Sequence, residues 1–258
     1  MIRNTILAAV AAFAVAGPAL AADPLRVGVE GAYPPFSSKE ADGTLVGFDI
    51  EMANALCAEL QRECVLVEQD WDGMIPALKA RKFDAIVASM SITEERKTQI
   101  DFSQKYYQTP ARVVAGNDSA IEGTAESLAG KRLGLQRGTT HQCYAEKFFP
   151  DAEIVLYATQ EEVFRDLAIG RIDAQLADSL LAEKSFLSTD EGAKFGFAGG
   201  DQTDLECYGE GVGVAVRQGE EELRDAISAA ILALRENGTY AQINDKYFPF
   251  DIYGGRPE

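Results

Sequence analysis

Two stretches of the chain echo each other. Leu78 to Ser89 (LKARKFDAIVAS) and Leu167 to Asp178 (LAIGRIDAQLAD) share a leucine, a basic residue, an Asp-Ala pair and a later alanine at a constant offset of 89 residues. Each copy closes a repeated rhythm. In the first half a strand from Leu25 to Val29 precedes a helix capped by Asp49 and running to about Leu60, with Ile50, Ala53, Leu56 and Leu60 on one face. The strand CVLVEQ, the short helix GMIPALKA and the strand DAIVAS follow. In the second half KRLGLQ, THQCYAEKFF, AEIVLYA, QEEVFRDLAIG and DAQLAD alternate strand and helix in the same way. A β-α-β-α-β succession predicts an open, mostly parallel sheet with helices on its faces. Two successions predict an α/β protein of two similar lobes.

The second lobe is read as an insertion in the first. The chain crosses near Gln108 to Pro110 and crosses back between Asp201 and Glu210. Residues 22–108 and 207–258 then make lobe 1, and residues 109–206 make lobe 2. The closing helix EEELRDAISAAILALRE ends at Asn237-Gly238, a good C-terminal cap. Two crossovers between two lobes make a hinge and a cleft, able to open and close on a ligand.

Residues 1–21 read as an export leader. They carry a basic Arg3, an apolar core from about Ile6 to Ala16 and the small-residue site Ala19-Leu20-Ala21, with cleavage before Ala22. That apolar run is too short to span a bilayer, and no second run of about 18 apolar residues follows. The first cysteine is Cys57, so no lipid anchor is expected at the cleavage site. A soluble protein in an exported compartment is the expectation. The net charge of −17 leaves no positive footprint for nucleic acid, and the acid excess serves solubility. Four cysteines in an oxidising compartment point to disulfides. Cys57 and Cys64 enclose a short loop between a helix end and the next strand; Cys143 and Cys207 then pair by elimination. Metal binding is the rival reading, and a single histidine, His141, argues against it. No metal or cofactor is expected.

Open α/β sheets bind ligands outside the carboxyl ends of their strands. Those ends carry Glu30 and Tyr33, Trp71, the run Ser89, Met90 and Ser91, the segment Gln136 to His141, and Asp178. Ser91 reads as a helix N-cap with Glu94 at the capping-box position and Arg96 early in the helix. Free backbone N–H groups beside a guanidinium suit a carboxylate, which Arg grips through two parallel hydrogen bonds. Alternatively, Arg96 pairs with Glu94 or Glu95 on a solvated face. Thr140, opening a second helix, offers an N–H to the same anion. Asp178 either faces a ligand ammonium or caps the helix SLLAEKSFL. Tyr33 and Trp71, the only tryptophan, either flank an aliphatic chain or planar cation or pack in the core. An anion clamp, a cation partner and an aromatic pair match an α-amino acid. Glu30 remains for a second positive charge, a guanidinium or ammonium, at the ligand's far end.

The segments GAYPPF, LVGFDIEMANALCAEL, WDGMIPALKARKFDAIVASMSITEERK, GTT, GRIDA and LRENGTYAQINDKYF resemble bacterial periplasmic solute-binding proteins for polar amino acids. The likeness is greatest to the lysine/arginine/ornithine-, histidine- and opine-binding members, and runs from about Leu25 to Gly255. It implies the type II periplasmic binding fold, with the ligand in the interlobe cleft, and a partner: an ATP-driven (ABC) permease of the inner membrane. By the same resemblance Arg96, Ser91 and Thr140 would hold the α-carboxylate. Asp178, Ser89 and Ser91 would hold the α-ammonium, and Tyr33 and Trp71 would sandwich the side chain. An acid at the position of Glu30 and a bridge like Cys57–Cys64 are familiar there. The departures are Ala88 in place of a serine, Trp71 in place of smaller apolar residues or Phe, and His141 in place of Gln. The Cys143–Cys207 bridge is not expected from the better-known members. Glu30 with Trp71 suits a flat guanidinium, giving arginine first, then ornithine, lysine or histidine, with an opine as the alternative.

Enzyme readings are weaker. Exported dehydratases acting on cyclohexadienyl substrates resemble the same family and would need a general acid, a role open to Glu30. A Ser-His-Asp hydrolase would need a G-x-S-x-G segment, and none occurs. His141 and Cys143, two apart on a helix, do not face each other. The expectation is a monomeric periplasmic binding protein with no catalytic residue, serving transport or reporting its ligand to a receptor.

Overall fold

The computed structural model describes residues 23–254, so the expected leader lies outside the described residues. The chain begins with β1 (Leu25–Val29), a small meander of β2 (Ala32–Tyr33), β3 (Ser37–Lys39) and β4 (Leu45–Val46), then α1 (Phe48–Glu59) and β5 (Cys64–Glu68). It continues through α2 (Met74–Lys79), β6 (Ala85–Ile86), α3 (Glu94–Lys97) and β7 (Ile100–Tyr107). A second body follows: β8 (Ala111–Gly116), α4 (Ala125–Leu128), β9 (Arg132–Gln136), α5 (Thr140–Phe148), β10 (Glu153–Tyr157), α6 (Gln160–Ala168), β11 (Ala174–Asp178), α7 (Ser179–Ala182) and β12 (Phe195–Gln202). The chain then passes through α8 (Leu205–Tyr208) to β13 (Val212–Arg217), α9 (Glu221–Glu236) and α10 (Thr239–Tyr247).

The first sheet has the order β5-β1-β6-β13-β7 and the second β10-β9-β11-β8-β12. β1 runs parallel to β5 and β6, and β9 runs parallel to β10 and β11. One strand in each sheet is reversed: β13 is antiparallel to β6 and β7, and β8 is antiparallel to β11 and β12. Each reversed strand is the one on which the chain enters after crossing from the other sheet. A chain arriving from across the cleft starts at the cleft end and must run away from it, whereas the remaining strands run toward it.

The sequence echo has a structural reason. Asp84 accepts from Arg26 Nε at 3.0 Å and Nη2 at 2.7 Å, tying β1 to the start of β6. Asp173 accepts from Arg132 Nε at 3.0 Å and Nη2 at 2.7 Å, tying β9 to the start of β11. The residue before each aspartate covers a glycine in the neighbouring strand. A Cβ on Gly28 would lie 2.7 Å from the Phe83 ring, and one on Gly134 would collide with Ile172. The shared pattern thus locks the far end of each sheet, away from the cleft.

Both cysteine pairs are bridged, with Cα separations of 5.4 Å for Cys57–Cys64 and 5.5 Å for Cys143–Cys207. The second bridge ties α8 to α5, and Cys207 is buried with Tyr144 and Phe149 in the second body. The return crossing therefore follows Tyr208, slightly beyond the boundary expected at residue 207. Asp49 is not the cap of α1: Gly47 holds that position, and the Asp49 side chain turns into the interior. Among the described residues no helix is long and apolar enough to cross a membrane.

Candidate functional site

The carboxyl ends of strands in both sheets and the two crossovers face one cavity of about 550 Å³, the open solvent at its mouth included. Glu30, Tyr33, Trp71, Ala88, Ser89, Ser91, Arg96, Gln136, Thr140, His141 and Asp178 all line it. Met90 does not. Its side chain is 1% exposed and packs with Met74, Leu78, Phe83 and Ile86, because the turn that shows Ser89 and Ser91 to the cavity sends the residue between them inward. Thr139, within the segment Gln136 to His141, lines the cavity too; Tyr107, Thr109, Ala111, Tyr208 and Val212 also line it and were not read from the sequence. Tyr107 ends β7, so the strand-end rule applied to that strand would have found it. Ala111 and Val212 open the two reversed strands, Thr109 precedes one on the first crossover and Tyr208 ends α8 just before the second, and at none of these does a rule about carboxyl ends give a signal.

Arg96 is 9% exposed. It donates from Nη1 to Ser91 O at 3.1 Å and from Nη2 to Gly138 O at 3.2 Å, and lies 5.2 Å from the Trp71 ring centre. Glu94 pairs instead with Lys97 at 2.8 Å. The expected cap is also displaced. Thr93, not Ser91, caps α3 by accepting from Arg96 N at 3.3 Å, while Ser91 bridges to Val212. Burial pushes the guanidinium down to about 10, with the Glu95 charge acting in the other direction. A buried cation whose hydrogen bonds go to neutral carbonyls favours an incoming anion. Thr140 is the first residue of α5, capped by Thr139. The N–H groups of such a first turn have no intrahelical acceptor.

Asp178 caps a helix and also lines the cavity. Its Oδ1 accepts from Leu180 N at 2.9 Å and Leu181 N at 3.1 Å, capping α7, while the residue also lines the cavity. Its Oδ2 accepts from Thr109 Oγ1 on the first crossover. Burial raises Asp178 to about 6, opposed by these hydrogen bonds. Glu30 accepts from Gln136 Nε2 at 2.8 Å. Burial raises it to about 7, with Gln136 pulling downward and Asp49, Asp70 and Asp72 adding to the rise. Asp49, missed as part of this region, is fully buried beneath the cavity. Ser89 Oγ and Tyr106 OH each donate to it at 2.8 Å, and burial raises it to about 7. Ser89 has φ of 54°, a costly left-handed conformation that its bond to Asp49 helps to hold. His141 is pushed down to about 4 by burial and by Arg96, so it is neutral near pH 7.

The two bodies touch across the cavity. Trp71 Nε1 donates to Gly138 O at 3.3 Å, sharing that carbonyl with Arg96. Arg137 pairs with Asp72 at 3.2 Å, and Ser185 Oγ donates to Pro34 O at 2.7 Å. Two α/β bodies joined by two crossovers and shut over a polar, charge-bearing cavity define a hinged, ligand-enclosing protein.

The sequence pattern of the bacterial extracellular solute-binding proteins, family 3, matches residues 25–250. The L-arginine-binding protein of Pseudomonas aeruginosa is 49% identical over 257 residues, covering 98% of this chain and 99% of that one. The lysine/arginine/ornithine-binding periplasmic protein of Escherichia coli K12 is 42% identical over 232 residues, 89% of each chain. Among solved structures, an arginine-specific periplasmic binding protein of Salmonella typhimurium superposes with a TM-score of 0.82 at 35% identity, covering 88% of this chain and 100% of that one. This chain belongs to the bacterial extracellular solute-binding proteins, family 3.

Proposed function

We propose that this protein binds a basic L-amino acid, arginine ahead of ornithine, lysine or histidine, by closing two lobes over it, and delivers it to an ABC permease of the inner membrane. The observation that carries the reading is the charge layout. One buried guanidinium, Arg96, faces across a single cavity two buried carboxylates, Asp178 and Glu30, and among the described residues none of the three is in an ion pair. A ligand with one carboxylate and two cationic groups supplies the three missing partners, and burying its charges requires such pairing.

In this reading Arg96 and the N–H groups of Ser91 and Thr140 hold the α-carboxylate. Asp178, Ser89 and Ser91 hold the α-ammonium, Tyr33 and Trp71 enclose the aliphatic chain, and Glu30 meets the guanidinium. The lobes are residues 22–108 with the segment after Tyr208, and residues 109–208 between them. The protein acts as a periplasmic monomer after loss of its leader. No bond-making step is assigned to it: His141 is held neutral and Glu30 is engaged by Gln136. The relatives named for arginine binding support the ligand class.

Thermal unfolding with a panel of free amino acids and opines tests the proposal. A ligand at 100 times its Kd stabilises by about 2.7 kcal/mol. Arginine should give the largest rise. Stabilisation by glutamate or glutamine but not by arginine would overturn the assignment.

A further inference from the structure

The bond between Gln136 and Glu30 joins the two bodies through side chains that are 3% and 6% exposed. Among the described residues, the other pairing of two polar side chains across the cleft, Arg137 with Asp72, is half exposed to solvent. Gln136 ends β9 in one sheet, and Glu30 follows β1 in the other. The pair therefore meets only when the bodies are together.

The direction of the Gln136 amide follows from chemistry. Its Nε2 lies 3.3 Å from Ala158 O as well as 2.8 Å from Glu30 Oε1. A backbone carbonyl can only accept, so the atom facing Ala158 is the nitrogen. Both hydrogens of that nitrogen are then committed, one to a carbonyl and one to the carboxylate. The contact is a neutral donor on an anion: it favours the ionised form of Glu30 and brings no countercharge.

We infer that Gln136 is a specificity-determining residue that makes closure sensitive to the charge at the ligand's far end. It favours the carboxylate form of Glu30, with one oxygen satisfied and no countercharge. Closure over a cationic end completes the site. Closure over a neutral end of the same shape leaves a buried anion that must take up a proton or keep the cleft from shutting. An apolar side chain at position 136 removes this donor, so Glu30, already raised by burial, gives up its proton less readily to meet a cationic end.

The inference rests on the basic amino-acid reading above. L-arginine and L-citrulline separate the two questions, since a neutral ureido group replaces the guanidinium at nearly constant shape. Calorimetry on wild type, Gln136→Met and Gln136→Leu gives the ratio of the two affinities. Both variants should lose arginine affinity by about 10-fold or more, the scale of one hydrogen bond to a charged group. Citrulline affinity should change by less than about 3-fold, so that the ratio collapses. A merely structural role predicts equal losses for both ligands, and that outcome, or an unchanged ratio, would overturn the inference. Wild-type protein that fails to prefer arginine over citrulline would instead sink the proposed function.

Discussion

The assigned role of Arg96 gives a prediction with a calculable size. Burial lowers its guanidinium from 12.5 to about 10. That difference corresponds to about 3 kcal/mol of hydration that the Ser91 and Gly138 carbonyls do not replace. A ligand carboxylate recovers it through charge-assisted hydrogen bonds. Truncating one partner of a buried ion pair costs about 3–5 kcal/mol, the same scale reached independently. Arg96→Met should therefore weaken L-arginine binding by roughly 100- to 4,000-fold, since each 1.4 kcal/mol is tenfold. Agmatine, which is arginine without its carboxylate, makes the experiment a double-mutant cycle between side chain and ligand. Agmatine should bind wild type weakly and should be indifferent to Arg96→Met, giving a coupling energy of about 3 kcal/mol or more by calorimetry. Arg96→Lys keeps the charge without the fork and should fall between the two. If Arg96→Met binds arginine within about 3-fold of wild type, or loses agmatine and arginine equally, the carboxylate is held elsewhere.

Three other outcomes are expected. Asp178→Asn retains an oxygen for the Leu180 and Leu181 N–H groups, so its melting temperature should hold while arginine affinity falls by about 100-fold or more; unchanged affinity in calorimetry would remove the ammonium from this position. Burial raises Glu30 from 4.5 to about 7, Asp49 from 3.8 to about 7 and Asp178 from 3.8 to about 6. The folded, ligand-free protein therefore holds more protons than the unfolded chain from about pH 4 to 7, and that stabilisation is lost as pH rises through about 6 to 7. His141, lowered from 6.5 to about 4, acts in the opposite sense, as one group against three. Ligand-free protein should thus melt higher at about pH 5 than at about pH 8, and arginine binding at about pH 6 should release protons to the buffer; a melting temperature that climbs with pH contradicts this. The disulfides should differ in weight. Cys143 and Cys207 are 64 residues apart and Cys57 and Cys64 are 7 apart. Chain entropy assigns about 4 kcal/mol to the longer loop and about 2.5 kcal/mol to the shorter, so denaturant unfolding of the two serine double variants should rank them in that order.

Much of the fold was legible because its signals are local. Strand and helix periodicities repeat, and the Asp-Ala pair recurs because Asp84 and Asp173 each clamp an arginine of the adjacent strand. The reversed strands were not legible, since nothing within VGVAVR or ARVVAG encodes direction; that follows from where the chain re-enters. At the site, carboxyl-end residues such as Glu30, Gln136 and Asp178 could be read from strand positions. Asp49 could not. An aspartate beside a helix start usually caps it, and only the folded neighbourhood shows Ser89 and Tyr106 converging on its carboxylate from distant segments. Met90 failed for a related reason. Between two cavity-facing serines it looks like a third, yet the left-handed turn at Ser89 decides which way each side chain points.

The reversal of β13 carries a consequence for how the chain matures. Strand β6 joins β1 on one edge, but its other neighbour is β13, with Ile86 opposite Ala215. A polypeptide made amino end first delivers every strand of the second sheet before that partner emerges. The second body can consolidate on its own while β6 and β7 wait with unsatisfied edges, a sticky intermediate whose lifetime is set by the arrival of the last fifth of the chain.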